Sequence, residues 1–353
     1  MPDKLGKIPL MRFSVVIPVY NVEPYLRPCL DSLRAQTWTD WEAFAVDDGS
    51  TDGSGAVLDA YAAQDSRIRV IHQANAGVAA ARNLALGRTG GEWIVYLDSD
   101  DVLHPRALEF FDQGVRQTAD ADLVSLGCVR IGETAEPSWD GADRPQWQVL
   151  DVRSSFSDET VGRSFVQTAY RSARLGDLRF PALCYGEDVV YFLQALIRSD
   201  SVVTAACPVY GYRQRGGSAV HAKSTKRQML DDLRHYRLLM EMFERTRKSL
   251  PVGFRRETGL RLTQYLAEDY FGLDPTERVC VWPEWLSVLE RYGRQPWAYG
   301  YEKLVARVAA ATRSVRLLWL MGYAVHWLKC HGVNRRFACH AEGRAGMWNV
   351  ERS

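Results

Sequence analysis

Long uncharged segments and an excess of one kind of charge are both missing from this chain of 353 residues. The longest uncharged apolar run, residues 317–328, has 12 residues, whereas a helix needs about 20 to cross a bilayer. Lys and Arg number 44 against 43 Asp and Glu, which gives a net charge of +1. This balance does not provide the basic surface that nucleic acids attract, so we expect no nucleic-acid partner.

Cysteine is scarce and unevenly spaced, with seven residues in the chain. An odd number without regular spacing fits a reducing compartment better than a disulfide framework. Residues 1–12 lack the apolar core of a secretory signal, which argues against export. We therefore expect a cytoplasmic protein, either free or peripheral at the inner face of the cell membrane.

Three common signatures of nucleotide-binding or hydrolytic proteins are also absent. No Gly-x-Gly-x-x-Gly follows the first apolar segment, and neither Gly-x-x-x-x-Gly-Lys-Ser/Thr nor Gly-x-Ser-x-Gly occurs anywhere. Their absence argues against a dinucleotide site, a P-loop and the simplest serine hydrolase. Hydrophobic residues make up 46% and charged residues 25%, which is ordinary for a globular protein with one main domain and an accessory one.

The first part of the chain alternates between strand-like and helix-like segments. Apolar runs of strand length lie at 13–19, 42–46, 67–71, 92–97 and 122–129, and helical patterns separate them. This alternation predicts βαβ units and hence an α/β fold, with a mainly parallel sheet flanked by helices. Asn21 is expected to cap the first helix, and Ser50 or Asp52 is expected to cap the second.

Carboxylates cluster directly after two of these strands. Asp47 and Asp48 follow the second strand, and Asp98, Asp100 and Asp101 follow the fourth. Because ligands bind beyond the carboxyl ends of parallel strands, both groups are expected at one edge of the sheet. Oxygen ligands of this kind suit Mg²⁺ or Mn²⁺ together with a diphosphate. A solvated acidic turn is the alternative, whereas a calcium loop is excluded because its sixth position is not glycine.

Several segments, taken in order, resemble those of the family-2 glycosyltransferases, which are inverting enzymes of the GT-A fold. The matching segments are 16–21, 32–37, 46–52, 75–77 with 81–83, 98–101, 186–188 after Phe180, and 212–218. The likeness covers residues 12–220. It implies a nucleotide-sugar donor and a hydroxyl acceptor on a glycan or a lipid-linked glycan.

The resemblance also implies nucleotide-binding roles for individual positions. These positions are Pro18, Tyr20, Asn21, Asp48, Arg82, Asp98, Arg213, Arg215 and Ser218. Asp48 would accept the N–H of a uracil-like ring, and the late arginines with Ser218 would contact the diphosphate. Arg82 has an equally plausible structural role as an ion pair that braces the sheet.

For the chemistry, the resemblance implies a divalent metal ion and a carboxylate base. Asp100 would be the direct ligand of Mn²⁺ or Mg²⁺, and Asp98 would contact the metal or the ribose. Asp188 would be the general base, with Glu187 as the alternative, because an acceptor hydroxyl must lose its proton during attack. Either acid could instead be no more than a favourable charge at a helix start. His221 fits an exposed loop better than a metal site.

The resemblance and the periodicity together predict three regions: a tail at 1–11, a GT-A domain at 12–225 and a helical region at 226–353. Residues 130–175 would shape the acceptor side. In the last region, Met229, Leu230, Leu233, Tyr236, Met240 and Phe243 form one apolar stripe, and Leu262, Tyr265, Leu266 and Phe271 suggest another. Both stripes are expected to belong to the core.

The segment 301–336 combines aromatic residues with basic ones. Trp319, Tyr323 and Trp327 accompany seven arginines or lysines and a single acid, Glu302. This pattern is typical of a helix at an anionic membrane surface, while a packed helix or a homo-oligomer contact is an equal alternative. The Cys-His pairs at 330–331 and 339–340 match no standard zinc spacing.

The sequence thus predicts a metal-dependent inverting glycosyltransferase that uses a nucleotide-sugar, UDP-linked by preference, in surface polysaccharide biosynthesis. Two alternatives remain at this point. One is a nucleotide-sugar-binding protein without turnover, and the other is a nucleotidyltransferase.

Overall fold

A computed structural model describes most of the chain. The described residues are 12–142, 145–152, 165–215, 225–246, 258, 262, 270–296, 298, 300–318 and 320–321. They fall into two compact units, residues 1–223 with 241–252 and residues 224–240 with 253–353, each taken over its described part. The functions expected of the helical region stay predictions.

Strands and helices alternate in the first unit as the sequence predicts. The strands are β1 Phe13–Val19, β2 Trp41–Asp47, β3 Ile68–His72, β4 Trp93–Tyr96, β5 Val102–Leu103, β6 Leu123–Ile131, β7 Gln148–Asp151, β8 Thr168–Arg171 and β9 Ser201–Arg213. The helices here are α1 Glu23–Arg34, α2 Ser54–Gln64, α3 Val78–Leu86, α4 Ala107–Val115, α5 Ser172–Leu175 and α6 Glu187–Arg198.

These strands form one mixed sheet with the order β3-β2-β1-β4-β8-β6-β9-β5, and β7 pairs with β9. The first four strands in this order are parallel to one another. Beyond β4 the pairing becomes antiparallel at β8, and only β6 and β9 are parallel to each other among the later pairs described. The predicted α/β class is confirmed, but the sheet is mixed and not mainly parallel, since four of the described strand pairs are parallel and four are antiparallel. Its parallel half carries the acidic turns.

The central strands are buried on both faces, which is why they read as continuous apolar runs. The buried hydroxyl of Ser14 within β1 has internal partners, as is usual for a buried polar group. The hydroxyl of Ser14 donates to Glu42 Oε1 at 2.7 Å and accepts the N–H of Gly91 at 2.8 Å. Gly91 comes so close to Ser14 that a Cβ would lie 2.6 Å from Ser14 N. This close approach fixes the position of the chain where β4 begins. The acidic turn directly follows β4, so its position is fixed as well.

The expected helix caps are partly wrong. Val22, not Asn21, is the N-cap of α1, and Asn21 adopts a left-handed φ of 50°. Its Oδ1 accepts the Thr51 N–H at 2.7 Å, because the left-handed turn directs the side chain to the neighbouring loop. Asp52 bonds the first N–H of both helices, that of Glu23 at 3.1 Å and that of Ser54 at 3.0 Å. Ser50 Oγ accepts the Asn21 N–H instead of capping α2.

The second unit is helical over its described residues. Besides the first part of α7 Lys226–Thr246, it contains α8 Pro275–Arg294 and α9 Gly300–Thr312. Along α7, the predicted stripe members are buried except for the half-buried Leu230. In the other stripe Leu262 is buried, Phe271 is exposed, and Tyr265 and Leu266 lie outside the described residues.

None of the helices described combines the length and the apolarity needed to cross a membrane. Residues 322–336, most of the aromatic side chains of 301–336, and both Cys-His pairs lie outside the described residues. The membrane-surface, oligomer and zinc predictions for this segment therefore stay predictions.

Replacement of Gly91 by alanine should destabilise the first unit by about 1–3 kcal/mol, because the new methyl group meets backbone that cannot move aside. Urea unfolding followed by circular dichroism measures the loss. Gly87→Ala is the matched control, since its Cβ would lie 3.5 Å from Leu84 O at an ordinary φ of −69°. Equal midpoints for the two variants would contradict the close approach at Gly91.

Candidate active site

The carboxyl ends of β1, β2 and β4 meet at one edge of the sheet, as predicted. Val19 is in register with Asp47, and the Asp48 N–H donates to Val19 O at 2.8 Å. The Leu97 N–H donates to Val16 O at 3.0 Å, which continues the β4 pairing to the residue before Asp98. The two acidic turns are therefore neighbours across β1.

Asp48 organises the loop before α3. The carboxylate of Asp48 is buried and accepts hydrogen bonds from Gln73 Nε2 at 2.6 Å, from the Ala76 N–H at 2.8 Å and from the Gly77 N–H at 2.8 Å. Gly77 has a φ of 92°, a conformation that side chains rarely adopt. Asp48 thus holds this loop against the sheet edge, a contact with Gln73 that sequence reasoning did not find.

The other predicted nucleobase residues lie beside Asp48 along β1. Pro18 is buried within the strand, while the Tyr20 side chain directly after it is 48% exposed. Asn21 is exposed and bonded to the 50–51 turn. An exposed aromatic ring next to a buried carboxylate is an arrangement that can stack on a base and accept one of its N–H groups.

Arg82 joins the acidic turn after β4 to the start of α6. The guanidinium of Arg82 donates through Nη2 to Asp98 Oδ1 at 2.8 Å and through Nη1 to Glu187 Oε1 at 2.8 Å. Its side chain is 5% exposed and lies over the rings of Phe165 and Phe180, at 5.0 and 5.3 Å from their centroids. The structural alternative for Arg82, an ion pair that braces the sheet, is realised here, with carboxylates from two distant parts of the chain.

The charges around Arg82 influence one another strongly. Burial alone would lower the pKa of Arg82, but the carboxylates of Asp98 and Glu187 outweigh it and raise that pKa above its usual value. Burial, together with the neighbouring Asp188 charge, raises the pKa of Glu187 to about 7, although Arg82 acts in the opposite direction. Glu187 is therefore a buried partner of Arg82, whereas Asp188 beside it is only half-buried.

Gly186 sets the position of both acids. It has a left-handed φ of 76° immediately before α6, so the chain turns sharply and Glu187 and Asp188 become the first two residues of the helix. Carboxylates are stabilised at a helix N-terminus. Asp188 Oδ1 also accepts the Val189 N–H at 2.8 Å, which orients the side chain.

Asp100 and the end of β9 form the other side of the site. Asp100 Oδ2 accepts a hydrogen bond from Arg215 Nε at 2.6 Å, and the Asp100 carbonyl accepts one from Arg213 Nε at 3.0 Å. Burial and the charge of Asp98 raise the pKa of Asp100, although Arg215 opposes them. The acidic turn and the two predicted diphosphate arginines are thus in direct contact. Ser218 and His221 lie outside the described residues.

Asp101, to which the sequence assigned no role, fixes this arrangement. The carboxylate of Asp101 is almost fully buried and accepts the Arg213 N–H and the Tyr210 hydroxyl, both at 2.7 Å. The same hydroxyl accepts the Asp98 N–H at 3.1 Å. A third acid in an acidic turn was visible in the sequence, but its partners on β9 follow it by more than 100 residues, so only the fold could identify them.

The oxygens of Asp98 and Asp100 are the donor set that a hard divalent ion prefers. Within the described part of the chain, no group of three His, Cys, Asp or Glu residues is arranged to hold a metal ion by itself. Phosphate oxygens would therefore have to complete the coordination. Asp100 already pairs with a positive charge, that of Arg215, and the oxygens of Asp98 and Asp100 are the ligand type that the ion prefers, so the residues fit it.

Arg82→Met should cost about 3 kcal/mol or more at neutral pH, because the buried Glu187 and the partly exposed Asp98 lose their shared cation. The pKa of Glu187 in the folded chain, about 7, lies above its usual 4.5. The free energy of unfolding therefore falls as the pH rises from 4.5 to about 7. Loss of Arg82 raises the folded pKa further, so the difference between variant and wild type should grow with pH. Urea unfolding at about pH 5 and pH 8 tests this.

Arg88→Met is the control for this experiment, because Arg88 is exposed just beyond the end of α3. It should change stability little at either pH. A loss for Arg82→Met that is small, or that shrinks as the pH rises, would contradict the account of the buried pair.

Comparisons with known proteins concern the family and the fold. The model of the family described as glycosyl transferase family 2 matches residues 14–135. Glycosyltransferase GlyA of Streptococcus pneumoniae is 33% identical over 216 residues, which are 59% of this chain and 31% of GlyA. EpsH of Bacillus subtilis is 33% identical over 224 residues, which are 60% of this chain and 64% of EpsH. The chain thus spans less than two thirds of either relative.

Among solved structures, residues 1–349 of TarS from S. aureus, crystallised with UDP-GlcNAc, have a similar fold. The TM-score is 0.65 at 18% identity, and the match covers 92% of this chain and 93% of the TarS chain. This likeness concerns the fold, and it confirms the predicted GT-A class with its mixed sheet. The family model spans β1 to β6 and the relatives are 33% identical, so the first part of the chain is similar to glycosyl transferase family 2.

Proposed function

We propose that the chain transfers a sugar from a UDP-linked donor to a hydroxyl of a glycan or lipid-linked acceptor, with inversion at the anomeric carbon. The observation that carries this proposal is the Arg82 bridge. It connects Asp98, on the donor side, to Glu187, beside the candidate base Asp188. One buried network thus holds together the two halves that a transferase needs.

Asp188 is the base in this proposal, and Glu187 positions it. Glu187 is buried and bonded to Arg82, whereas Asp188 is half-buried at the helix start. One hydrogen bond, from the Val189 N–H, leaves a carboxylate free capacity to accept a proton. The Asp188 carboxylate would take the proton of the acceptor hydroxyl as its oxygen attacks, so that no covalent enzyme intermediate is needed.

Asp98 and Asp100 would hold Mn²⁺ or Mg²⁺. Such an ion, when bound, stabilises the negative charge that develops on the leaving diphosphate. Arg215, next to Asp100, would add a second positive charge at the same place. Arg213 is buried and donates to backbone carbonyls. In this proposal, Arg213 holds Arg215 and the acidic turn in place.

Asp48, Tyr20 and the adjoining Pro18 and Asn21 would form the nucleobase side. The carboxylate of Asp48 accepts three hydrogen bonds and retains about one further lone-pair direction, which suits the single imide N–H of uracil. TarS, which shares the fold, was crystallised with UDP-GlcNAc and with UDP. A UDP-linked donor for this chain is compatible with both observations.

The cellular setting belongs to the same proposal. We place the chain in surface polysaccharide biosynthesis, in the cytoplasm or at the inner face of the membrane, with a GT-A domain at 12–225 and a helical region at 226–353. The helical region would serve the acceptor, a second copy of the chain or the membrane surface.

Asp188→Asn should abolish sugar transfer and leave donor binding nearly unchanged, because the amide keeps the shape but cannot take a proton. A loss of about 10²-fold or more is expected for a general base. Glu187→Gln is the comparison variant, and it should retain more activity because its loss acts through position. Equal rates of sugar transfer by Asp188→Asn and wild type would contradict the role of Asp188 as the base. Release of pyrophosphate in place of a nucleoside diphosphate would favour a nucleotidyltransferase.

Calorimetric titration with UDP, GDP and dTDP, each with and without Mn²⁺, tests the donor and the metal. UDP should bind tightest and only weakly without the ion. Asp100→Ala should lose the effect of Mn²⁺ while it keeps weak UDP binding at Asp48. Metal-independent binding in the wild type would contradict the metal role of the acidic turn, and preference for GDP would contradict the donor class.

A further inference from the structure

The carboxylate of Asp100 already forms an ion pair with a side chain, that of Arg215. Arg215 donates through Nε to Asp100 Oδ2 at 2.6 Å, and the two side chains are 26% and 22% exposed. The Arg215 guanidinium also lies 5.4 Å from the ring centroid of Tyr25 on α1. The oxygen that receives this bond belongs to the residue proposed as the direct metal ligand.

Arg213, two residues earlier, is held very differently. Its Nε donates to the Asp100 carbonyl at 3.0 Å, and its Nη1 donates to the carbonyls of Glu133 at 2.8 Å and Ala135 at 3.2 Å. Its side chain is buried, and its backbone N–H is fixed by Asp101. Arg213 is thus anchored to backbone on two segments of the chain, whereas the contacts of Arg215 within the described residues are one carboxylate and one ring face.

This difference in anchoring determines which arginine can move. A guanidinium bonded to backbone carbonyls loses every one of those bonds when it leaves, and none of those acceptors is offered to a ligand. The guanidinium of Arg215 gives up a single ion pair when it exchanges one anion for another, because its other contact within the described residues is a ring face. Arg215 is therefore the exchangeable member of the pair.

We propose that Arg215 is an internal competitor of the divalent ion: it covers the metal-binding oxygen of Asp100 in the ligand-free chain and moves to the donor diphosphate when the site is loaded. This inference rests on the proposed function, because the diphosphate supplies the new anion. Arg215 neutralises the repulsion between Asp98 and Asp100 before loading. Once the ion and the nucleotide are bound, the same guanidinium stabilises the leaving diphosphate. Arg215 therefore disfavours binding of the ion alone and favours binding of the ion together with the nucleotide.

The inference requires that loss of Arg215 has opposite effects in the two states. Without nucleotide, Arg215→Gln should bind Mn²⁺ about three- to tenfold more tightly, because a competing charged hydrogen bond is removed. With saturating UDP, the same variant should bind Mn²⁺ more weakly than wild type by a similar factor, because the arginine–diphosphate contact is lost. A residue with only a structural role would not change sign.

Electron paramagnetic resonance of free Mn²⁺, titrated into the full chain with and without UDP, measures both affinities without any transfer reaction. Arg27→Gln is the charge-matched control, since Arg27 is exposed on α1 two residues after Tyr25 and its replacement also removes one positive charge. It should stay within about twofold of wild type in both states, as expected for a distant, screened charge. In an Asp100→Asn background, Arg215→Gln should no longer tighten Mn²⁺ binding.

Unchanged or weaker Mn²⁺ binding by Arg215→Gln in the absence of UDP overturns the competitor role. Tightening that persists in the Asp100→Asn background also overturns it, because the effect would then come from general charge and not from the shared oxygen. Wild-type chain that binds no Mn²⁺ even with UDP contradicts the metal site of the proposed function itself. That failure is distinguishable, since it appears before any Arg215 variant is compared.

Discussion

The buried guanidinium of Arg82 is the interaction on which the rest of the site depends. Its two carboxylate partners, on Asp98 and Glu187, come from segments 89 residues apart, and no backbone pairing joins them directly. Arg82 and Glu187 are buried and Asp98 is partly exposed, so burial of the guanidinium or of Glu187 without its partner would be costly. The aromatic rings of Phe165 and Phe180 complete the enclosure from one side.

The same logic extends along the sheet edge, where every acid of the two turns has a partner within the chain. Asp47 accepts the Ser50 N–H and pairs with His72, Asp48 holds the loop before α3, and Asp101 binds the end of β9. Bonds to backbone N–H groups give these carboxylates a structural task. Asp98 and Asp100 differ, since their side chains are bound by arginine side chains, the buried Arg82 and the partly exposed Arg215.

The network also separates two neighbouring acids that look equivalent in the sequence. Glu187 turns inward to Arg82, and its pKa is raised, whereas Asp188 remains half-buried at the same helix start. Helix geometry produces this result, because consecutive residues point about 100° apart and cannot share one environment. The preference for Asp188 as base, made from a resemblance, thus acquires a physical reason.

Much of the architecture could be predicted from the sequence, because a strand buried on both faces is a continuous apolar run and a helix that covers it has a regular stripe. The runs at β1, β2 and β4 and the stripe of α1 are of this kind, and so is the meeting of two acidic turns at one edge. These features depend on local residues and on the general geometry of parallel sheets.

Only the tertiary structure determined the hydrogen-bond and ion-pair partners of the polar side chains. Asn21 was expected to cap a helix but turns to the Thr51 N–H, Asp101 had no assigned task, and Arg215 was assigned to a ligand and not to Asp100. In each case the deciding contact joins residues 30 or more positions apart, which no local pattern records. A sequence specifies which side chains carry charge, but the free energy of each charge depends on what the fold places next to it.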